Sequence, residues 1–210
     1  KDIKTLSVDE LTARLEKEFT FDNFKWQVVN KIKITEPFRA DGLERILYKC
    51  ANCKEEGTMN GEGITIKCSN CGKEYELDEL GQLCALRGET EFLHIPHWYA
   101  WQRECVREEL INGTYLLDTP CKIGVMVDYK AIYMVGNGRL IHNKDGFTLT
   151  GCNGELSYTQ PPQASYGLYS DYFWYEIGDV ICIGDKNRLY YCFPEKEGVV
   201  AKTRLAAEEL

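Results

Sequence analysis

Cys50-Ala-Asn-Cys53 and Cys68-Ser-Asn-Cys71, separated by fourteen residues, are the stretch from which the rest of this chain can be read. Each C-x-x-C sets two thiols on one tight turn, and two such turns face to face supply the four sulfurs that tetrahedral zinc takes at about 2.3 Å. The pattern predicts a structural zinc ribbon over 48–75, with Cys50, Cys53, Cys68 and Cys71 as ligands and zinc as the cofactor. A four-cysteine set is closed. It leaves no position for water or substrate, so it supplies folding energy rather than chemistry. The gap is one residue short of the roughly fifteen to twenty usual for such pairs, which a tight hairpin at Asn60-Gly-Glu-Gly63 absorbs. The competing interpretation is four unrelated reduced cysteines. Ile46-Leu-Tyr48 leads into the first knuckle, Gly63-Ile-Thr-Ile-Lys67 alternates into the second, and Lys73-Glu-Tyr-Glu-Leu77 completes the ribbon's sheet.

Charge around the ribbon narrows its partners. Between Cys50 and Leu83, Lys54, Lys67 and Lys73 stand against seven acids, and the whole chain carries 25 basic and 33 acidic residues for a formal charge of -8. Affinity for nucleic acid rests largely on counterion release by Lys and Arg, so nucleic acid is not the expected partner.

On the N-terminal side, Ser7-Val-Asp-Glu10 has the form of a capping box. Leu11, Leu15 and Phe19 then recur at spacing four, predicting a helix with one apolar stripe and a charged back. Residues 21–29, behind Asp22, predict a second short helix, and Lys31-Ile-Lys-Ile34 alternates like a short strand. Beyond the ribbon, Phe92-Leu-His-Ile-Pro-His-Trp98 leads into a helix expected to begin near Pro96 and to stop at Asn112-Gly113. Trp98, Trp101, Cys105 and Leu110 line one face of it. His94 and His97 flank its start. No carboxylate or cysteine sits beside them at ligand spacing, so bonding to backbone outweighs a second metal site.

From Thr114 onward the pattern changes to short alternating runs. Ile123, Val125 and Val127 share one face, followed by Ile132-Tyr-Met-Val135, Leu140-Ile-His142 and Phe147-Thr-Leu149 across an Asn143-Lys-Asp-Gly146 turn. Residues 155–158, 172–176, 180–183, 188–193 and 199–201 predict further strands, and Thr203 is the expected cap of a terminal helix. Tyr166, Tyr169, Tyr172, Phe173, Trp174 and Tyr175 form an aromatic cluster that favours cross-strand packing over ligand stacking or a membrane interface. The expected fold class is α+β. A zinc ribbon flanked by helices precedes an antiparallel β-rich domain, a small barrel or sandwich of the pleckstrin-homology or GRAM sort, with a C-terminal helix. The divisions fall at 1–47 for the helical segment, 48–83 for the ribbon, 84–113 for a connecting helix and 114–210 for the β-rich domain.

No run of apolar residues is long enough to span a bilayer, and Lys1-Asp-Ile-Lys4 is not followed by the apolar core of a signal peptide. The expectation is a cytoplasmic chain, peripheral at most at the inner face of the membrane. The start without Met and the close inside a helix point to a fragment of something longer. The six remaining cysteines, Cys84, Cys105, Cys121, Cys152, Cys182 and Cys192, are scattered singly and read as reduced, buried small hydrophobes. There is no G-x-S-x-G, Walker loop or H-E-x-x-H. A thiol hydrolase would need a pair such as Cys105 with His97, and a cysteine on a buried helix stripe is more often inert.

Three strings carry a resemblance: Phe21-Asp-Asn-Phe-Lys-Trp-Gln27, Arg39-Ala-Asp-Gly-Leu-Glu-Arg-Ile-Leu-Tyr-Lys-Cys50 and Phe92-Leu-His-Ile-Pro-His-Trp-Tyr99. Together they resemble the region downstream of the catalytic domain in bacterial 1-acylglycerol-3-phosphate acyltransferase-like proteins, and the resemblance covers nearly the whole chain. That family's catalytic motif is a histidine followed five positions later by an aspartate. Here His94 is followed at that distance by Tyr99, His97 by Gln102 and His142 by Phe147, so no catalytic residue carries over. The resemblance implies a non-catalytic accessory or regulatory module that docks an acyltransferase domain N-terminal to it in the same protein, at a membrane surface. A zinc-ribbon adaptor for another protein, or for nucleic acid as the weaker case, and a standalone cysteine hydrolase are the alternatives.

Overall fold

The computed structural model describes residues 5–127, 130–164, 167–196 and 198–210. Ser7 opens α1 (Val8–Phe19) as a reciprocal cap, its hydroxyl accepting from the Glu10 amide at 3.2 Å while its own amide donates to the Glu10 carboxylate at 2.9 Å. The apolar stripe of α1 is largely uncovered, with Leu11 half-buried and Leu15 and Phe19 exposed. In α2 (Asn23–Asn30), Asp22 accepts from the Lys25 amide, and the helix ends at Lys31 in the left-handed region with φ 56°. The strand expected at 31–34 does not form. A single amide, Ile34 N–H, bonds to Glu79 O at 2.8 Å.

The first sheet is an antiparallel meander of β1 (Met59–Glu62), β2 (Thr65–Cys68), β3 (Glu74–Leu77) and β4 (Leu83–Ala85). Glu62 pairs with Thr65, which puts the hairpin at Gly63-Ile64, later than the Asn60–Gly63 turn expected. The helix α3 (Ile95–Ile111) lies against this sheet, with Trp98 fully buried and its ring edge-on to Tyr75 at 5.0 Å between centroids. Trp101 packs at the margin of the same core, and the fully buried Gln102 and Val106 belong to the buried face as well.

The second sheet has seven antiparallel strands: β5 (Leu117–Val127), β6 (Ala131–Asn143), β7 (Gly146–Gly151), β8 (Leu156–Gln160), β9 (Tyr169–Trp174), β10 (Gly178–Gly184) and β11 (Leu189–Pro194). Their order is β8-β7-β6-β5-β11-β10-β9, a four-strand meander followed by a three-strand one whose last strand returns beside the first. Where two strands were expected at 132–135 and 140–142, β6 runs through both: Gly136 and Gly138 pair with Ile123 and Cys121, and the register shifts at Val135, beside Gly136. Gly138 sits opposite Gly151, and a Cβ on Gly138 would come within 2.5 Å of Ile123 Cδ1. The fully buried Ile123 side chain therefore uses the space those two residues leave empty. The sheet rolls: Gly184 N–H at the end of β10 donates to Gln160 Oε1 at the end of β8 at 2.8 Å, although five strand positions separate the two. The aromatic strand starts and stops earlier than expected, and Tyr175 and Glu176 lie in a turn with φ 45° and 60°. Trp174 packs on Tyr191 at 5.2 Å, Phe173 and Tyr175 are exposed, and Tyr166 lies outside the described residues.

Residues 199–201 are not a strand and Thr203 is not a cap. Val199 opens α4 (Val199–Glu209) after Gly198, and the Thr203 hydroxyl donates to Val199 O at 2.7 Å inside the helix. The β-branched pair Val199-Val200 has strand propensity, but both side chains bury in the core of the second sheet when helical, and that packing decides. Further along, α4 packs on α3: Ala201, Leu205 and Ala206 share a buried cluster with Val106 and with Tyr48 of the first knuckle. Arg103 ion-pairs with Glu208 and with Glu209, the latter at 2.8 Å.

Candidate metal centre

The two knuckles are built alike. Cys50 N–H donates to Glu55 O at 2.9 Å and Lys54 N–H to Cys50 O at 3.0 Å; in the second knuckle Cys68 N–H donates to Lys73 O at 2.8 Å and Gly72 N–H to Cys68 O at 3.0 Å. The residue after each second cysteine must turn left-handed, which glycine does freely at Gly72 (φ 72°) and Lys54 does against its Cβ (φ 69°). The Lys54 ammonium is held over the Trp101 ring at 4.5 Å from the centroid, which fixes that turn against α3. From the helix, Trp98 Nε1 donates to Lys49 O at 2.9 Å. Gln102 Nε2 donates to Ile46 O at 2.9 Å, and Gln102 Oε1 accepts from Lys49 N–H at 3.0 Å. The segment leading into Cys50 is thus pinned from outside the ribbon.

These turns bring all four predicted ligands together. Cys50 Sγ lies 3.7 Å from Cys71 Sγ, Cys53 Sγ lies 3.7 Å from Cys68 Sγ, and the four sulfurs fall within 4.8 Å of one another. Four sulfurs at about 2.3 Å from a common centre would stand about 3.8 Å apart in a regular tetrahedron. The cluster therefore fits a metal ion in a closed all-sulfur shell. Cys50 and Cys68 are buried, Cys53 is half-buried and Cys71 is exposed. Burial pushes the Cys50 thiol up to about 12. At Cys71 burial acts the same way but is outweighed by the Asn52 amide and the Lys73 backbone N–H, which bring the thiol down to about 6. A bound metal takes the place of the thiol protons, so the cluster gains its ligands by releasing them.

The sequence-level reading missed the polar side chains around the sulfurs. Asn52 Nδ2 donates to Cys71 Sγ at 3.4 Å, Asn70 Nδ2 to Cys53 Sγ at 3.5 Å, and Thr58 Oγ1 lies 3.3 Å from Cys68 Sγ. The repeated Asn-Cys at the end of both motifs was the signal that could have found two of them.

The other candidates do not assemble. Cys105 and His97 both lie on α3, eight residues apart, so about 12 Å of helix rise separates them, and burial pushes the Cys105 thiol up. His94 Nε2 pairs with Asp22 Oδ2 at 2.6 Å, and the His97 ring stands edge-on to it. His142 is buried in the second sheet, stacked on Phe147 at 3.8 Å, and shares a 2.9 Å hydrogen bond through Nδ1 with the Tyr115 hydroxyl. Of the remaining cysteines, Cys121, Cys182 and Cys192 are buried as expected, whereas Cys84 is exposed. No helix among the described residues is long and apolar enough to cross a membrane. No family model matches the chain, and no curated protein or solved structure is similar to it.

Proposed function

We propose that the chain is a non-catalytic, zinc-stabilised accessory module of an acyltransferase-like protein of phospholipid synthesis. Its ribbon and its β-rich half together form a body that docks an acyltransferase domain of the same protein at the cytoplasmic face of a membrane. The observation that carries the reading is the four-sulfur cluster, in which two separations of 3.7 Å match a zinc tetrathiolate and all four sulfurs fall within 4.8 Å, a set that would leave no ligand position for chemistry. Zinc is read from the paired C-x-x-C spacing, and the ties of the knuckle to α3 through Trp98 and Gln102 support a structural role for the site. The strand order of the second sheet, with α4 set into its core, supports a pleckstrin-homology or GRAM-like reading of that half. A docking role is supported by apolar side chains left uncovered along the N-terminal arm, among them Leu15, Phe19, Phe21, Trp26 and Val29. The partner itself comes from the resemblance of residues 21–27, 39–50 and 92–99 to acyltransferase-associated tails.

Purified chain analysed by elemental mass spectrometry is expected to carry about one zinc per molecule, the stoichiometry of a single four-thiolate site. It is also expected to give no acyl transfer from acyl-CoA to lysophosphatidic acid and to pull down an acyltransferase domain supplied in trans. Iron with a visible thiolate absorption would replace zinc in this account. Acyl transfer by the chain alone would end the non-catalytic reading, and failure to bind the domain would remove the docking role.

A further inference from the structure

Asn52 and Asn70 occupy the same place in the two knuckles, each immediately before the second cysteine, and each reaches across to the second cysteine of the opposite knuckle. The arrangement is reciprocal. Those two acceptors, Cys71 and Cys53, are the ligands that solvent reaches, whereas Cys50 and Cys68 are closed off by the core. Four thiolates around a divalent ion leave two negative charges uncompensated, and the ribbon offers little help, with three lysines among seven acids between residues 50 and 83. An N–H dipole aimed at a sulfur lowers its electron density where no cation is at hand.

We propose that Asn52 and Asn70 are positioning residues of the metal centre, a matched pair of amide donors that offset the charge of its two solvent-reached thiolates and guard them against chelators. The inference rests on the four-cysteine metal reading. The donor geometry distinguishes it from simple packing. Aspartate has the shape of asparagine but carries no N–H, so Asn52→Asp and Asn70→Asp keep the packing and lose the donor.

Zinc affinity is measured by chelator competition on the full chain and on Asn52→Ala, Asn52→Asp, Asn70→Ala and Asn70→Asp. Each alanine variant is expected to bind zinc about tenfold more weakly, the lower end of the range for loss of a supporting hydrogen bond, with each aspartate variant at least as weak. Cobalt-loaded variants should show their sulfur-to-metal charge-transfer band shifted to the red, because an unbonded thiolate gives up its electron more easily. Affinities within twofold of the parent in both aspartate variants, with an unmoved cobalt band, would overturn the proposal. A measurement on the unaltered chain guards against variants that do not fold. With cadmium-113 in the site, scalar coupling between the metal and the side-chain amide protons of Asn52 and Asn70 is expected, and its absence at both would overturn the proposal. Failure of the underlying reading shows differently, as a parent chain that takes up no metal at all, and would sink both.

Discussion

The two sheets solve the same problem by different means. The first has strands of three or four residues and buries one face, with Ile66, Tyr75, Leu77 and Leu83 under Trp98. Cys50 and Cys68 are themselves fully buried members of that core, so its closure depends on what joins their sulfurs to Cys53 and Cys71. The second sheet has strands of up to thirteen residues, and its strands β10 and β11 are covered on both faces. Ile181, Ile183 and Cys192 meet α4 on one side, and Val180, Cys182, Tyr191 and Phe193 form a cluster on the other. Apolar area alone can hold such a sheet, whereas a sheet as short as the first has less of it, and a metal ion held by the four sulfurs would add to its stability.

The contrast breaks most sharply at the ligands. Cys53→Ser or Cys68→Ser should cost the ribbon most of a metal-binding free energy on the order of 10 kcal/mol. By circular dichroism and thermal melting the variants should lose the ribbon's transition and keep that of the second sheet; a single unchanged melt in both would refute the metal's structural role. Next in size is the pin between α3 and the first knuckle. Trp98→Ala removes the largest buried side chain of the ribbon core and leaves Lys49 O without its donor, a loss of about 3–5 kcal/mol in denaturant titration.

On the other side of the comparison, acid should act through His142. Burial lowers its pKa to about 4 from the ordinary 6.5, so the folded chain keeps the ring neutral while the unfolded chain protonates it. Its contribution is fully present above pH 6.5 and is lost as pH falls toward 4, amounting to about 3 kcal/mol. His142→Phe should flatten that slope in urea titrations followed from pH 7 to 4, and an unaltered slope would show that another group carries it. The smallest effect belongs to the exposed Asp118–Arg139 pair between β5 and β6. Arg139→Ala should leave the melting temperature within experimental scatter, and a clear drop would mean the pair is part of the fold's support.

The four-cysteine cluster was legible because its chemistry is local: four cysteines in two identical turns announce themselves whatever surrounds them. The capping box at Ser7 and the stop at Asn112-Gly113 were legible for the same reason. What escaped depends on distant partners. Val199-Val200 has the propensity of a strand and becomes helix because the opening of the second sheet takes both side chains. Lys31–Ile34 alternates like a strand but has no strand to pair with. β6 reads as two strands because Gly136 and Gly138 look like a break; Ile123, from β5, explains Gly138, whereas Gly136 lies against Cys152. Gln102 has no sequence signal of its own, although it is fully buried and bonded to the segment before Cys50.

Hydrogen exchange with and without a strong zinc chelator tests the central claim most directly. The account predicts that metal removal abolishes amide protection across Cys50–Cys53 and the first sheet, β1 to β4, while β5, β6, β10 and β11 keep theirs. Protection of the first sheet that survives with no metal left in the chain would contradict it.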